Sequence, residues 1–109
     1  MIASGTSIIE VVERLKKLGA KKVFFVTTFS LFTEGIEVFN ESYKNNVFEK
    51  LYTTNLSYIS IEYRKEKWLK IVDCSKRIAD VIDGIHDSKS LDKLCNDNER
   101  VIKLLDNKR

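Results

Sequence analysis

The sequence predicts an α/β fold built on a mainly parallel sheet. Two observations carry that reading, and a third qualifies it. Amphipathic helical stretches alternate with short apolar runs in the order loop, helix, strand, helix, strand, strand, helix, helix. The run Val23-Phe24-Phe25-Val26-Thr27-Thr28 is apolar at consecutive positions, as a strand covered on both faces is. The pattern also opens on a helix. A parallel sheet normally places a strand ahead of such a loop, so the chain reads as part of something larger.

The first helix is expected from about Ser7 to Leu18. Ser7 and Glu10 have the spacing of a capping box, in which each side chain satisfies a backbone N–H of the first turn. Ile8, Val12 and Leu15 share one face. Gly19 stops the helix, because glycine takes a left-handed backbone without strain. Lys16 and Lys17 in the last turn suit the negative end of the helix dipole. The strand Val23–Thr28 follows, and Phe29 to Gly35 form a loop at its carboxyl end. A second helix runs from about Ile36 to Asn45, with Ile36 or Val38, Phe39 and Tyr43 turned inward. Asn45-Asn46 breaks it. The sequence has no proline, so helix breaks fall to Gly and Asn.

Leu51-Tyr52-Thr53-Thr54 is the next strand, ended by Asn55-Leu56-Ser57. Tyr58 to Lys67 is irregular, with Arg64-Lys65-Glu66-Lys67 as a solvated tip. Trp68 to Val72 is a further strand, and Trp68 is expected to cover the sheet edge. Ser75 caps a third helix, Lys76 to His86, whose inner stripe is Ile78, Val81 or Ile82, and Ile85. Ser90 to Leu94 reads as a short helical turn. Asn98 to Asp106 is a terminal helix that docks or frays.

At 109 residues, 43% apolar and 32% charged, the chain is one small globular domain or a piece of one. A net charge of +3 spread along it calls for no nucleic-acid or membrane partner. No run approaches a membrane span, and the start lacks the design of a signal peptide. Cys74 and Cys95 lie far apart with no CxxC partner, so both read as free thiols of a cytoplasmic protein. His86 has no second ligand or catalytic partner in a recognisable spacing. Asp80 and Asp83 read as solvated acids on a helix surface.

The functional candidate is Ile2-Ala3-Ser4-Gly5-Thr6-Ser7. A small, polar, glycine-containing turn at a helix start gathers free N–H groups and the positive end of the helix dipole. That suits a phosphate. An ordinary capped helix start is the competing reading.

The order Met1-Ile2-Ala3-Ser4-Gly5-Thr6, a helix, then Gly19-Ala20-Lys21-Lys22-Val23-Phe24-Phe25-Val26-Thr27-Thr28 resembles the C-terminal part of the ribose-phosphate pyrophosphokinase (phosphoribosyl pyrophosphate synthetase) family. The likeness continues through Leu31-Phe32-Thr33-Glu34-Gly35, Tyr52-Thr53-Thr54-Asn55-Leu56 and Val72 to Leu94. It implies a partial three-layer phosphoribosyltransferase-type fold. Residues 1–95 would be the C-terminal half of a phosphoribosyltransferase-like domain, and 96–109 a helical tail. In that family the loop holds the 5-phosphate of ribose while pyrophosphate moves from ATP, with Mg²⁺, to make phosphoribosyl pyrophosphate. The resemblance assigns phosphate contacts to Ala3, Ser4, Gly5 and Thr6, with a further hydrogen bond from the Thr6 hydroxyl. It assigns no metal or ATP ligand here. The acidic pair that precedes the loop in the family is absent, and the loop is one residue shorter. The expectation is a fragment or truncated homologue, inactive alone, that binds ribose 5-phosphate weakly or not at all. It would form homo-oligomers or join synthetase subunits. The alternative is a non-catalytic assembly module, with Phe29, Leu31 and Phe32 as its contact.

Overall fold

A computed structural model describes residues 1–95 and 97–107, and at 93, 95, 99 and 100 the backbone alone. The elements are α1 (Thr6–Lys17), β1 (Phe24–Val26), α2 (Glu37–Lys44), β2 (Lys50–Thr54), a 3₁₀ turn (Tyr63–Lys65), β3 (Leu69–Val72), α3 (Ser75–His86), α4 (Asp92–Cys95) and α5 (Asn98–Asp106). The chain divides into two compact units, Met1–Cys74 and a second that begins at Ser75.

The first unit carries a three-stranded sheet in the order β1-β2-β3, parallel throughout. Phe25 pairs with Leu51, and Leu51 with Leu69, so these three share a face. All three are buried, together with Ile9 and Val12 of α1 and Phe39 of α2. This is the α/β arrangement with a parallel sheet that the sequence predicts.

Trp68 leads into the edge strand β3, but its side chain does not cover that edge. It is 1% exposed at the centre of the core, stacked on Phe39 with ring centroids 5.3 Å apart and Phe32 and Phe48 edge-on to it. Its indole N–H donates to Asn40 Oδ1 at 2.7 Å, which satisfies the one polar atom that burial would otherwise strand.

The expected burial of β1 on both faces is also corrected. Phe25 is buried, but Phe24 and Val26 are 52% and 83% exposed. The buried side chains of α1 and α2 join the core on the Phe25 face, and within this unit no helix covers the other. Val23 C=O and Thr27 N–H bond to β2, so Phe24 and Val26 turn their backbone groups to the opposite edge.

Helix ends follow the local chemistry. Gly19, at φ 96°, closes α1: its N–H bonds Lys16 C=O and the Ala20 N–H bonds Leu15 C=O, the paired closure of a Schellman motif. Asn46, at φ 54°, does the same for α2, through Tyr43 C=O and the Val47 bond to Ser42 C=O. The capping box is not formed. The N-cap of α1 is Gly5, without a side-chain cap, so Ser7 already lies inside the first turn. Leu15 is exposed, and Ile9 takes its place with Val12 on the buried stripe.

In the second unit α3 begins at Ser75, which is helical rather than a cap. Ile78, Ile82 and Ile85 are exposed, and of the expected inner stripe only Val81, the alternative to Ile82, is half-buried. Gly84 is the buried residue, because Leu91 and Leu94 pack where its side chain would be. Asp80 pairs with Lys76 and Asp83 with Lys89 at the surface. Among the described residues no helix is long and apolar enough to cross a membrane.

Candidate functional site

The loop in front of α1 is held from both sides. Ile2 donates its N–H to Phe29 C=O and accepts at its own C=O from Leu31 N–H, each at 2.8 Å, which makes a parallel bridge to Ser30. Its side chain is buried in the core. Ala3 C=O accepts from Thr33 N–H at 3.1 Å. Gly5 has φ 94°, and a Cβ there would overlap the Phe39 ring. Only glycine both adopts that left-handed backbone without strain and lets the chain lie on the ring.

The first helical hydrogen bond runs from Ile9 N–H to Gly5 C=O at 3.1 Å. The N–H groups of Ala3, Ser4, Gly5, Thr6, Ser7 and Ile8 donate to no acceptor among the described residues. The first turn contains no acidic side chain. A hollow of about 250 Å³ lies at this point, lined by Met1 to Gly5, Ser7 and Ile8. The arrangement offers neutral donors and a helix dipole to an anion. Of the residues that the sequence marks, Ala3, Ser4 and Gly5 line the hollow. Thr6 is exposed and lies outside the lining, where Ser7 takes part.

Sequence reasoning missed the polar stitching of the strand ends. Ser30 Oγ donates to Thr53 Oγ1 at 3.1 Å, both residues being buried, and Ser57 Oγ donates to Ser30 C=O at 3.2 Å. Thr54 Oγ1 donates to Thr28 C=O at 2.6 Å, and Asn55 Nδ2 to Asp73 Oδ1 at 2.7 Å. These bonds fix the carboxyl ends of the strands, where open α/β sheets place ligands. Spacing alone does not reveal them, because each joins residues 18 to 27 positions apart. Phe32 is buried against Phe39, Tyr63 and Trp68, while Phe29 and Leu31 are exposed.

Cys74 is a half-buried free thiol, the side chain of Cys95 lies outside the described residues, and His86 is exposed at the end of α3. A hard cation such as Mg²⁺ takes oxygen ligands, commonly carboxylates and phosphate oxygens. The loop from Ile2 to Ser7 has no carboxylate, and no group of three or more His, Cys, Asp or Glu gathers among the described residues. The donor set at this loop therefore suits an anion and does not fit a Mg²⁺ ion.

No family model matches the chain. It is 36% identical over 92 residues to a protein named ribose-phosphate pyrophosphokinase from Mycoplasmopsis pulmonis (strain UAB CTIP). The alignment takes in 84% of this chain and 27% of that relative, so the chain spans about a quarter of the relative's length. Along most of its residues, then, this chain is a homologue of part of a ribose-phosphate pyrophosphokinase.

Proposed function

We propose that the chain is a C-terminal piece of a ribose-phosphate diphosphokinase, that its front loop receives the 5-phosphate of ribose, and that it makes no phosphoribosyl pyrophosphate alone. The observation that carries this reading is the row of six unpaired N–H groups from Ala3 to Ile8 at the start of α1. The partial likeness to the mycoplasmal protein supports it. Ala3, Ser4 and Gly5 would offer backbone donors to the phosphate, with Thr6 closing the loop from its outer side. In the family the chemistry is supplied by ATP and Mg²⁺, and no residue here is assigned to either. The proposed compartment is the cytoplasm.

Titration of ribose 5-phosphate against the isotope-labelled chain tests the loop. The expected result is saturable displacement of the Ala3–Ser7 amide resonances, with ribose itself without effect. Unmoved amides at millimolar ligand would overturn phosphate binding. An assay with ATP, Mg²⁺ and ribose 5-phosphate tests the second part, since turnover by this chain alone contradicts it.

A second reading, a non-catalytic assembly module that self-associates or joins synthetase subunits, is favoured by the exposure of Phe29 and Leu31. Phe32 drops out of that contact because it belongs to the core. Light scattering with and without a full-length synthetase decides: a lone monomer in both conditions removes this reading.

A further inference from the structure

The charged stretch Arg64–Lys67 is not a featureless solvated tip. Together with the last turn of α2 it borders a hollow of about 440 Å³, lined by Asn40, Tyr43, Lys44, Lys65 and Lys67, with Glu66 and Trp68 completing the wall. All of these belong to the unit Met1–Cys74. We propose that this hollow binds a small polyanion of the oligophosphate class. The proposal is independent of the front loop.

The donor inventory is one-sided. Lys44, Lys65 and Lys67 are three of the lining residues, and none of their ammonium groups is in an ion pair among the described residues. Glu66 is the single carboxylate of the lining. Asn40 adds a donor of fixed identity. Its Oδ1 accepts the Trp68 indole N–H at 2.7 Å, which sets the amide so that Nδ2 is the free half, and Nδ2 bonds no other described residue. Three carbonyls at the end of α2 are already engaged. Those of Glu41, Ser42 and Tyr43 accept from the Asn45, Val47 and Asn46 N–H groups. Arg64 is tied back, with Nε donating to Ile59 C=O at 3.0 Å.

What remains is a set of point-charge donors without a planar fork. Lysine ammonium groups attract phosphoryl oxygens as point charges, without the bidentate geometry that arginine offers to carboxylate and phosphate alike, so the number of charges selects the anion here. The volume lies within the range of about 300–1,000 Å³ usual for small-ligand sites and leaves room for more than one phosphoryl group. The charge of the lining favours a ligand with two or more negative charges.

The test titrates inorganic tripolyphosphate into the full chain and reads two signals. One is the emission of Trp68, the only tryptophan, which borders the hollow. The other is the Asn40 side-chain amide resonance. The expected result is a saturable one-site change in both, weakened about tenfold by Lys65→Ala, by Lys67→Ala or by Lys44→Ala. Lys17→Ala and Lys70→Ala, which remove exposed lysines elsewhere, should leave it within about twofold, and circular dichroism checks that each variant folds. Absence of saturation overturns the proposal. So does equal weakening by the control variants, which would mean diffuse charge attraction. So does tighter binding of an oligoglutamate peptide than of tripolyphosphate. A response confined to the Ala3–Ser7 amides also overturns it and assigns the anion to the front loop. Ribose 5-phosphate binding at the front loop can fail without moving the Trp68 signal, so the two proposals fail separately.

Discussion

Gly5 carries two constraints on one atom. Its backbone is left-handed at φ 94°, and a Cβ would run into the Phe39 ring. Gly19 has the same backbone sign at φ 96° but open space around it. The pair separates conformational cost from crowding. Gly19→Ala should cost about 1–2 kcal/mol for the backbone alone, and Gly5→Ala about 2–5 kcal/mol, both read by urea unfolding. Equal losses would mean that Phe39 moves aside freely. Gly5 also explains why a sequence reading placed the cap two residues late. Ser7 and Glu10 have the right spacing, but the decisive fact is an aromatic ring 34 positions away, which no local pattern encodes. Trp68 teaches the same lesson. Its burial depends on Asn40 being in place to accept the indole N–H. Asn40→Ala should destabilise by about 1–3 kcal/mol, the cost of stranding a buried donor, and the loss should shrink in a Trp68→Phe background.

Among the elements, those whose signal is local were legible. Each helix of the first unit ends where Gly or Asn supplies a left-handed residue, and both endings read directly from the sequence. The inward face of α1 was legible to within one residue, since Val12 was right and Ile9 replaces Leu15. Val12, 1% exposed, and Val11, 54% exposed, provide a calibration within one helix. Val12→Ala should cost about 2 kcal/mol and Val11→Ala no more than about 0.5, measured by thermal unfolding. The face of α3 was legible only at Val81, which is half-buried. Ile78, Ile82 and Ile85 form a regular apolar stripe, but Gly84 is the residue that Leu91 and Leu94 press against. A glycine leaves no mark in a hydrophobic pattern. Helix α5 buries none of Val101, Ile102, Leu104 and Leu105. With so little burial to hold its backbone bonds, its amides should exchange with solvent faster than those of α1 or α2 in native-state hydrogen exchange.

For the whole molecule, the α/β class and the parallel sheet were legible, because alternation of helical and apolar stretches is a global signal. Coverage of the sheet was not. Apolar residues at successive positions state what a strand is suited to, and not what the other elements of its own unit supply. The edge of β1 beside Phe24 and Val26 keeps backbone groups that bond no other described strand. An uncharged edge of this kind is prone to pairing with other chains. Val26→Lys should therefore shift sedimentation toward smaller species at high concentration while leaving the thermal midpoint nearly unchanged, since Val26 is already 83% exposed.

The bridge from Ile2 to Ser30 has a further consequence. With both backbone groups of Ile2 engaged and its side chain in the core, the turn that follows is ordered before any guest arrives. Freezing a free backbone costs about 1–2 kcal/mol per residue, and here folding has already met that cost for the stretch. Under the phosphate-binding proposal the stretch has little left to order, so calorimetry with ribose 5-phosphate should show none of the unfavourable entropy that a loop becoming ordered would add.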